Sequence, residues 1–422
     1  MSLFLDKERS AFRKLSDDLW SRPEMPGDEV FALQRLCEML REKSFFVMPS
    51  FVLPTAFSAE HAITEEGGPT VCLMCEYDAV PNVGHACGHN LVATAGIAAA
   101  LAIQSAAKRV PQLSGKLKVL GTPSETSGEG KPRMLEKMAF TDVDVVLAVH
   151  PTSSGGLLKY KSPCAATTRV TYHGRESSSF LCPWEGNNAM DAAVGAYYNV
   201  AHLRKNLAPD WKISGVLLPD EGICPLEVPD VCRLELFCQT SSAEDQLELQ
   251  KRLRDVLLAP CRDKGCMVSF DYKLPYIDMI CNDVLADVFL EQAQRVRCAG
   301  RLFGEGFATA STSESSSASA LPESRLATGL GNVSHAVPSL CPLYSLGVSS
   351  TDSYLSDDFT RAVCTDDAFD RTMDAAKCIA LTALELFRSP DLVKKIRRCF
   401  KDQKSTRSCL GSLAASEASD TD

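Results

Sequence analysis

Apolar positions recur at helical spacing twice near the start, in "RSAFRKLSDDLWS" and "EVFALQRLCEMLREK", which predicts two amphipathic helices. The pattern then changes. "TVCLMCEYDAV" reads as a buried strand entering a loop, and "NLVATAGIAAALAIQSAAKRV" as a small-residue helix able to lie close against a sheet. "KLKVLGTPSE" is a second buried strand and "VDVVLAVHP" a third. Strands alternating with helices predict an α/β domain built on a largely parallel sheet.

From about Thr167 the order shifts to "TTRVTYHG", a helix in "NAMDAAVGAYYNVAHLRKN", strands "KISGVLLPD" and "VCRLELFCQT", a helix in "SAEDQLELQKRLRDVLLA", and "MVSFDYKL". Four strands and two helices make a small α+β unit. "DVLADVFLEQAQRV" and "DAAKCIALTALELF" afterwards return to the helical pattern of the first domain, so the α+β unit is an insertion. The expected division is residues 1–165 and 278–403 for the larger domain and 166–277 for the insertion. A Ser-rich loop, "ATASTSESSSASA", and a disordered tail over 404–422 complete the chain.

The polar residues collect where the strands stop: Asp78, Cys87 and His89 after the first, Glu125 after the second, His150 after the third. Ligands of open α/β sheets bind beyond the carboxyl ends of the strands. Cys87 and His89, two apart on a glycine-containing loop, offer a thiolate and an imidazole to one borderline-soft cation such as zinc. Asp78 suits the task of fixing the tautomer of a ligating His. Glu125, in "GTPSETSGEG", is placed to take a proton from an attacking water, although a Glu in a helix's first turn also simply complements the dipole. His61, His173, His202 and His335 have no ligand-type neighbours in sequence, and "GEG" at 128–130 lacks phosphate-loop spacing.

Composition narrows the field. At 422 residues with 18 cysteines and a net charge of −10, the chain is large, globular and too acidic for a nucleic-acid footprint. The charged start "MSLFLDKERSAFRKL" does not read as a signal peptide, and neither a leader nor an apolar run of membrane-spanning length is expected. Scattered cysteines without an export signal read as buried thiols of a cytoplasmic protein.

"CEYDAVPNVGHACGHN", with "LPTAF", "GTPSE", the "HP" at His150, "PWEGNNAMDAA" and "GNVS" in order, resembles the co-catalytic zinc metallopeptidases that include carboxypeptidase G, aminoacylase-1 and the auxin-conjugate amidohydrolases. Within that family the resemblance is to the Xaa-Arg (β-alanyl-lysine) dipeptidase subgroup and spans roughly residues 10 to 400. It implies a catalytic domain with an inserted lid through which such proteins dimerise, and amide hydrolysis by water held between two metals. It also implies Cys87, His89 and His150 as ligands and Glu125 as base. Several expected residues are replaced. Thr126 stands where a second Glu ligand follows the base. Ser178, followed by Phe180, stands where the lid supplies an oxyanion-stabilising His, and Leu355 where a last His ligand is expected. Leu226 and Gln239 stand where an Asn and an Arg grip the substrate carboxylate.

Two readings follow from this mixture. In one, the chain is a catalytically impaired member that binds a partner or metabolite. In the other, a reduced, mononuclear site still hydrolyses small dipeptides or N-acyl amino acids. Both allow at most one zinc per chain, and a homodimer, or a heterodimer with an active relative, formed through the lid.

Overall fold

The computed structural model describes residues 1–64, 67–153, 155–219, 224–308, 324, 326–348 and 355–405. Two compact units emerge. Met1–Lys161 joins Met279–Glu323 and Gly329–Thr406 in the larger one, and Ser162–Asp278 forms the body of the other.

In the larger unit a six-stranded sheet runs in the order Phe46–Pro49, Phe57–Ala62, Lys116–Gly121, Thr70–Cys75, Val145–Leu147, Ser339–Leu340. The last four are mutually parallel, and the first two add an antiparallel edge. The sheet is therefore largely parallel, as its unbroken apolar strands require: "VCLMC" is buried at every position. The third predicted strand is in fact two. Val145–Leu147 belongs to the sheet, and His150–Thr152 leaves it to pair in parallel with Leu343–Ser345.

Arg9–Trp20 and Val30–Glu42 are the two amphipathic helices, preceded by a short helix, Ser2–Lys7. His89–Ala107 corrects one expectation: it is long and apolar enough to cross a membrane. Its first sixteen residues are all buried in this fold, so the apolarity that would suit lipid here serves a core helix packed on all sides. Asp283–Arg295 and Asp366–Arg388 lie in this unit, and a further helix, Pro390–Ser405, follows them. That helix carries order past the expected tail boundary at 404. The rest of the expected tail and nearly all of the Ser-rich loop lie outside the described residues.

The second unit is a four-stranded antiparallel sheet ordered Met267–Tyr272, Cys164–His173, Val231–Thr240, Lys212–Pro219. Helices Ala189–Leu203 and Ala243–Lys264 pack on it through a separate core that includes Val170, Leu234, Leu236, Leu249 and Leu253. Burial alternates residue by residue along Val231–Thr240, the period-2 pattern of a sheet covered on one face. The seventeen described cysteines are all free thiols, thirteen of them buried.

Candidate metal centre

Three loops leaving the parallel strands deliver the polar residues. Glu76 directly follows Thr70–Cys75, with Asp78 two residues on. Glu125 follows Lys116–Gly121 through a turn in which Ser124 adopts a left-handed backbone, φ 58°. That turn is tied down from below. The Ser124 N–H donates to Glu29 Oε1 at 2.8 Å, and the Thr55 hydroxyl donates to Glu29 Oε2 at 2.6 Å. His89 opens its long helix at Gly88, whose φ is +77°. A Cβ on Gly88 would sit 2.5 Å from Pro151 Cγ, so only glycine lets the His89 turn close on the His150–Pro151 strand.

Glu76, His89 and His150 converge, with one ligand atom from each within 4.8 Å of the others. His89 Nε2 is 3.3 Å and His150 Nε2 3.9 Å from Glu76 Oε2, and the two imidazole rings meet edge-on at 5.6 Å. Glu76 Oε2 is buried and has no hydrogen-bond partner among the described residues. An orphaned carboxylate oxygen facing two imidazole nitrogens is what a nitrogen- and oxygen-ligated cation requires, so these residues fit a metal such as zinc.

The other side of His89 is already organised. Its Nδ1 lies 3.0 Å from Asp78 Oδ1 and 2.9 Å from the Asp78 carbonyl oxygen, so the Nδ1 proton faces two acceptors. Asp78 is held in turn by Thr126, whose N–H and hydroxyl both donate to Oδ2 at 2.7 Å. A carboxylate behind a ligating imidazole fixes its tautomer and leaves Nε2 for the metal.

Charge binds this cluster together. Burial works against the charged form of His89, but Asp78 and Glu76 outweigh it and raise its pKa to about 9. Burial, reinforced by the charge on His89, lowers His150 to about 4, so this imidazole stays neutral. Glu76 is held below the usual carboxylate range: burial opposes this, and Lys131, His89 and His150 prevail.

Lys131, like Glu76, was not foreseen from the sequence. It has no exposed surface, and its Nζ donates to Glu76 Oε1 and to Glu125 Oε2, both at 2.6 Å. Glu125 Oε1 accepts the Gly329 N–H at 2.9 Å. Burial lowers the Lys131 pKa, but the two carboxylates overcome it and hold the ammonium charged well above its ordinary range. One signal was available: a Lys in the first turn of the helix Gly130–Glu136 opposes the helix dipole and so asks for anionic partners.

Asp78, His89, Glu125 and His150 thus lie in one cluster with Glu76 and Lys131. Cys87, also expected as a ligand, is buried two residues before His89, and Glu76, at the end of its strand, is a further donor that converges with His89 and His150. Leu355 is 51% exposed on a left-handed backbone, φ 65°, and offers no ligand atom. Ser178, Leu226 and Gln239 lie in the second unit. There the Ser178 hydroxyl accepts the Leu181 N–H, and Leu226 is exposed.

The chain matches the family "Peptidase family M20/M25/M40" over residues 72–419. It is 32% identical over 413 residues to the human Xaa-Arg dipeptidase, covering 94% of this chain and 90% of that protein. Among solved structures, the aminobenzoyl-glutamate utilization protein of Klebsiella pneumoniae superposes with a TM-score of 0.68 at 14% identity, over 91% of this chain and 98% of that one. YXEP of Bacillus subtilis, described as a dinuclear metal-binding peptidase of the M20 family, gives 0.54 at 16% identity, over 88% and 99%. With the family's pattern matched from the first central strand almost to the end, this chain belongs to peptidase family M20/M25/M40.

Proposed function

We propose that this protein is a dipeptidase- or amidohydrolase-type member of its family that holds one zinc per chain and is strongly impaired in hydrolysis, acting by binding a partner or a small dipeptide-like metabolite. The Xaa-Arg dipeptidase relative supports the ligand class. The carrying observation is that both oxygens of Glu125 are already engaged, one by the Lys131 ammonium and one by the Gly329 N–H. A bound metal would supply Lewis-acid polarisation of the scissile carbonyl and its attacking water.

The remaining residues bear on orientation rather than turnover. Glu76, His89 and His150 would hold the metal, and Asp78 with Thr126 would keep His89 in its ligating tautomer. Thr126 brings no carboxylate to a second cation. Ser178 stands in sequence where an oxyanion-stabilising His is expected, and losing one such group costs about 100- to 1,000-fold.

A second reading has its own support. Three protein ligands with an open position form a recognised catalytic arrangement, and Glu125 lies beside them. A dipeptide hydrolysis assay with Glu125→Gln as control separates the two: background rates for both proteins support the impaired reading, and turnover lost in the variant supports a mononuclear hydrolase.

We also infer a homodimer, or a heterodimer with an active relative, through the second unit. Val194 and Tyr198, four apart on helix Ala189–Leu203, are exposed, as are Val216 and Leu218 on the edge strand Lys212–Pro219. Exposed apolar residues beside an unpaired sheet edge suit a self-complementary contact. Cytoplasmic residence is supported by the free thiols.

A further inference from the structure

We propose that the Lys131 ammonium is a resident cation that occupies the place between Glu76 and Glu125 and so limits the centre to a single divalent ion. This deepens, and rests on, the one-metal reading given above.

The geometry is that of a bridging cation. Nζ contacts one oxygen of each carboxylate at 2.6 Å, and Lys131 is wholly buried. Each carboxylate turns its other oxygen elsewhere. Glu76 Oε2 faces His89 and His150, and Glu125 Oε1 takes the Gly329 N–H. Two carboxylates sharing one cation, each with a single oxygen, is also the way a pair of acidic residues would share a metal.

The backbone is shaped to deliver this lysine. A Cβ at Gly130 would lie 1.8 Å from the Pro123 carbonyl oxygen, so glycine alone lets the helix Gly130–Glu136 start against the loop that carries Glu125. Lys131, next in the chain, is thereby carried into the cluster despite the unfavourable dipole.

Charge balance points the same way. Glu76, Asp78 and Glu125 carry three negative charges in a buried space. The ammonium and one divalent ion neutralise them, with His89 neutral as a ligand. A second divalent ion beside Lys131 would leave two uncompensated positive charges, which a buried site disfavours strongly. Thr126 adds no negative charge to offset them.

The test uses the full chain, stripped with chelator and re-equilibrated with zinc. Zinc per chain is read by elemental analysis and folding by thermal melts during zinc titration, for wild type, Lys131→Arg and Lys131→Met. The expected result is one zinc for wild type and Lys131→Arg, and two for Lys131→Met. The Lys131→Met melting temperature, depressed in chelator, should recover only beyond the first equivalent. No more zinc in a folded Lys131→Met than in wild type overturns the proposal, and so does a destabilised Lys131→Met that zinc fails to restore, or two zincs in wild type. A wild type without zinc beside a Lys131→Met that takes it up would instead overturn the one-metal reading and uphold the lysine's exclusion of a cation. Rapid dipeptide turnover by a one-zinc wild type would overturn only the impaired reading.

Discussion

Both hydrogen-bond donors of Thr126 go to one atom, Oδ2 of Asp78, each at 2.7 Å. The residue that stands where a metal-binding Glu is expected therefore acts two steps away, by aiming the carboxylate that aims His89. Thr126→Val keeps the shape and the N–H but loses the hydroxyl. Zinc affinity, read by calorimetry, should fall by about 10-fold, with a stability loss of about 1 kcal/mol. Unchanged affinity would show that Asp78 needs no help from this side chain.

The trio of donors makes a clear contrast between two substitutions. Cys87→Ser should leave zinc binding within about twofold, whereas Glu76→Gln should weaken it by about 100-fold or more, on the scale set by orienting residues that alone cost 10- to 100-fold. Equilibrium zinc competition with a chromogenic chelator reads both. A large loss in Cys87→Ser would restore the thiolate as a ligand.

Stability of the chelator-treated protein should peak near pH 6.5. Folded His89 keeps its proton up to about pH 9, against 6.5 for an ordinary imidazole, so the folded state holds the extra proton between these values. Raising pH through that window removes stability at roughly 1 kcal/mol per unit. On the acid side, burial lowers His150 and His85 to about 4, so the unfolded state holds more protons and stability falls as pH drops from 6.5 to 4. Thermal melts between pH 4 and 9 test this, and His89→Gln should flatten the alkaline limb. Melting temperatures that rise steadily to pH 9 would contradict the assignment.

Tyr198→Glu combined with Val216→Lys should convert a dimer to monomers in light scattering, because both place charge at exposed apolar positions of the second unit. A wild type already monomeric at micromolar concentration, with no relative co-purifying, would remove the basis for that interface.

The parallel core and the strand-end location of Asp78, His89, Glu125 and His150 were legible because buried strands are unbroken apolar runs and ligand-type residues follow them. The antiparallel edge strands Phe46–Pro49 and Phe57–Ala62 were not, because "FVMP" and "FSAEHA" are short and carry little alternation. Glu76 escaped because a Glu after a strand looks like any solvated strand end, and only the tertiary fold buries it between two imidazoles. Lys131 escaped for a related reason. "GEGKPRMLE" reads as an exposed helix start, and its counter-ions lie six and fifty-five residues away. Cys87 was legible as a candidate because its two-residue spacing from His89 is local, while Glu76 reaches His89 across a strand–loop–helix connection.

Steady-state hydrolysis of dipeptides ending in Lys, Arg or ornithine, with the zinc-loaded 422-residue chain and its Glu125→Gln variant side by side, decides whether this protein is impaired in catalysis. With Glu125 engaged by Lys131 and Gly329, both proteins should stay at background. Turnover of wild type within the roughly 1–1,000 per second of an ordinary enzyme, abolished by Glu125→Gln, would contradict the account.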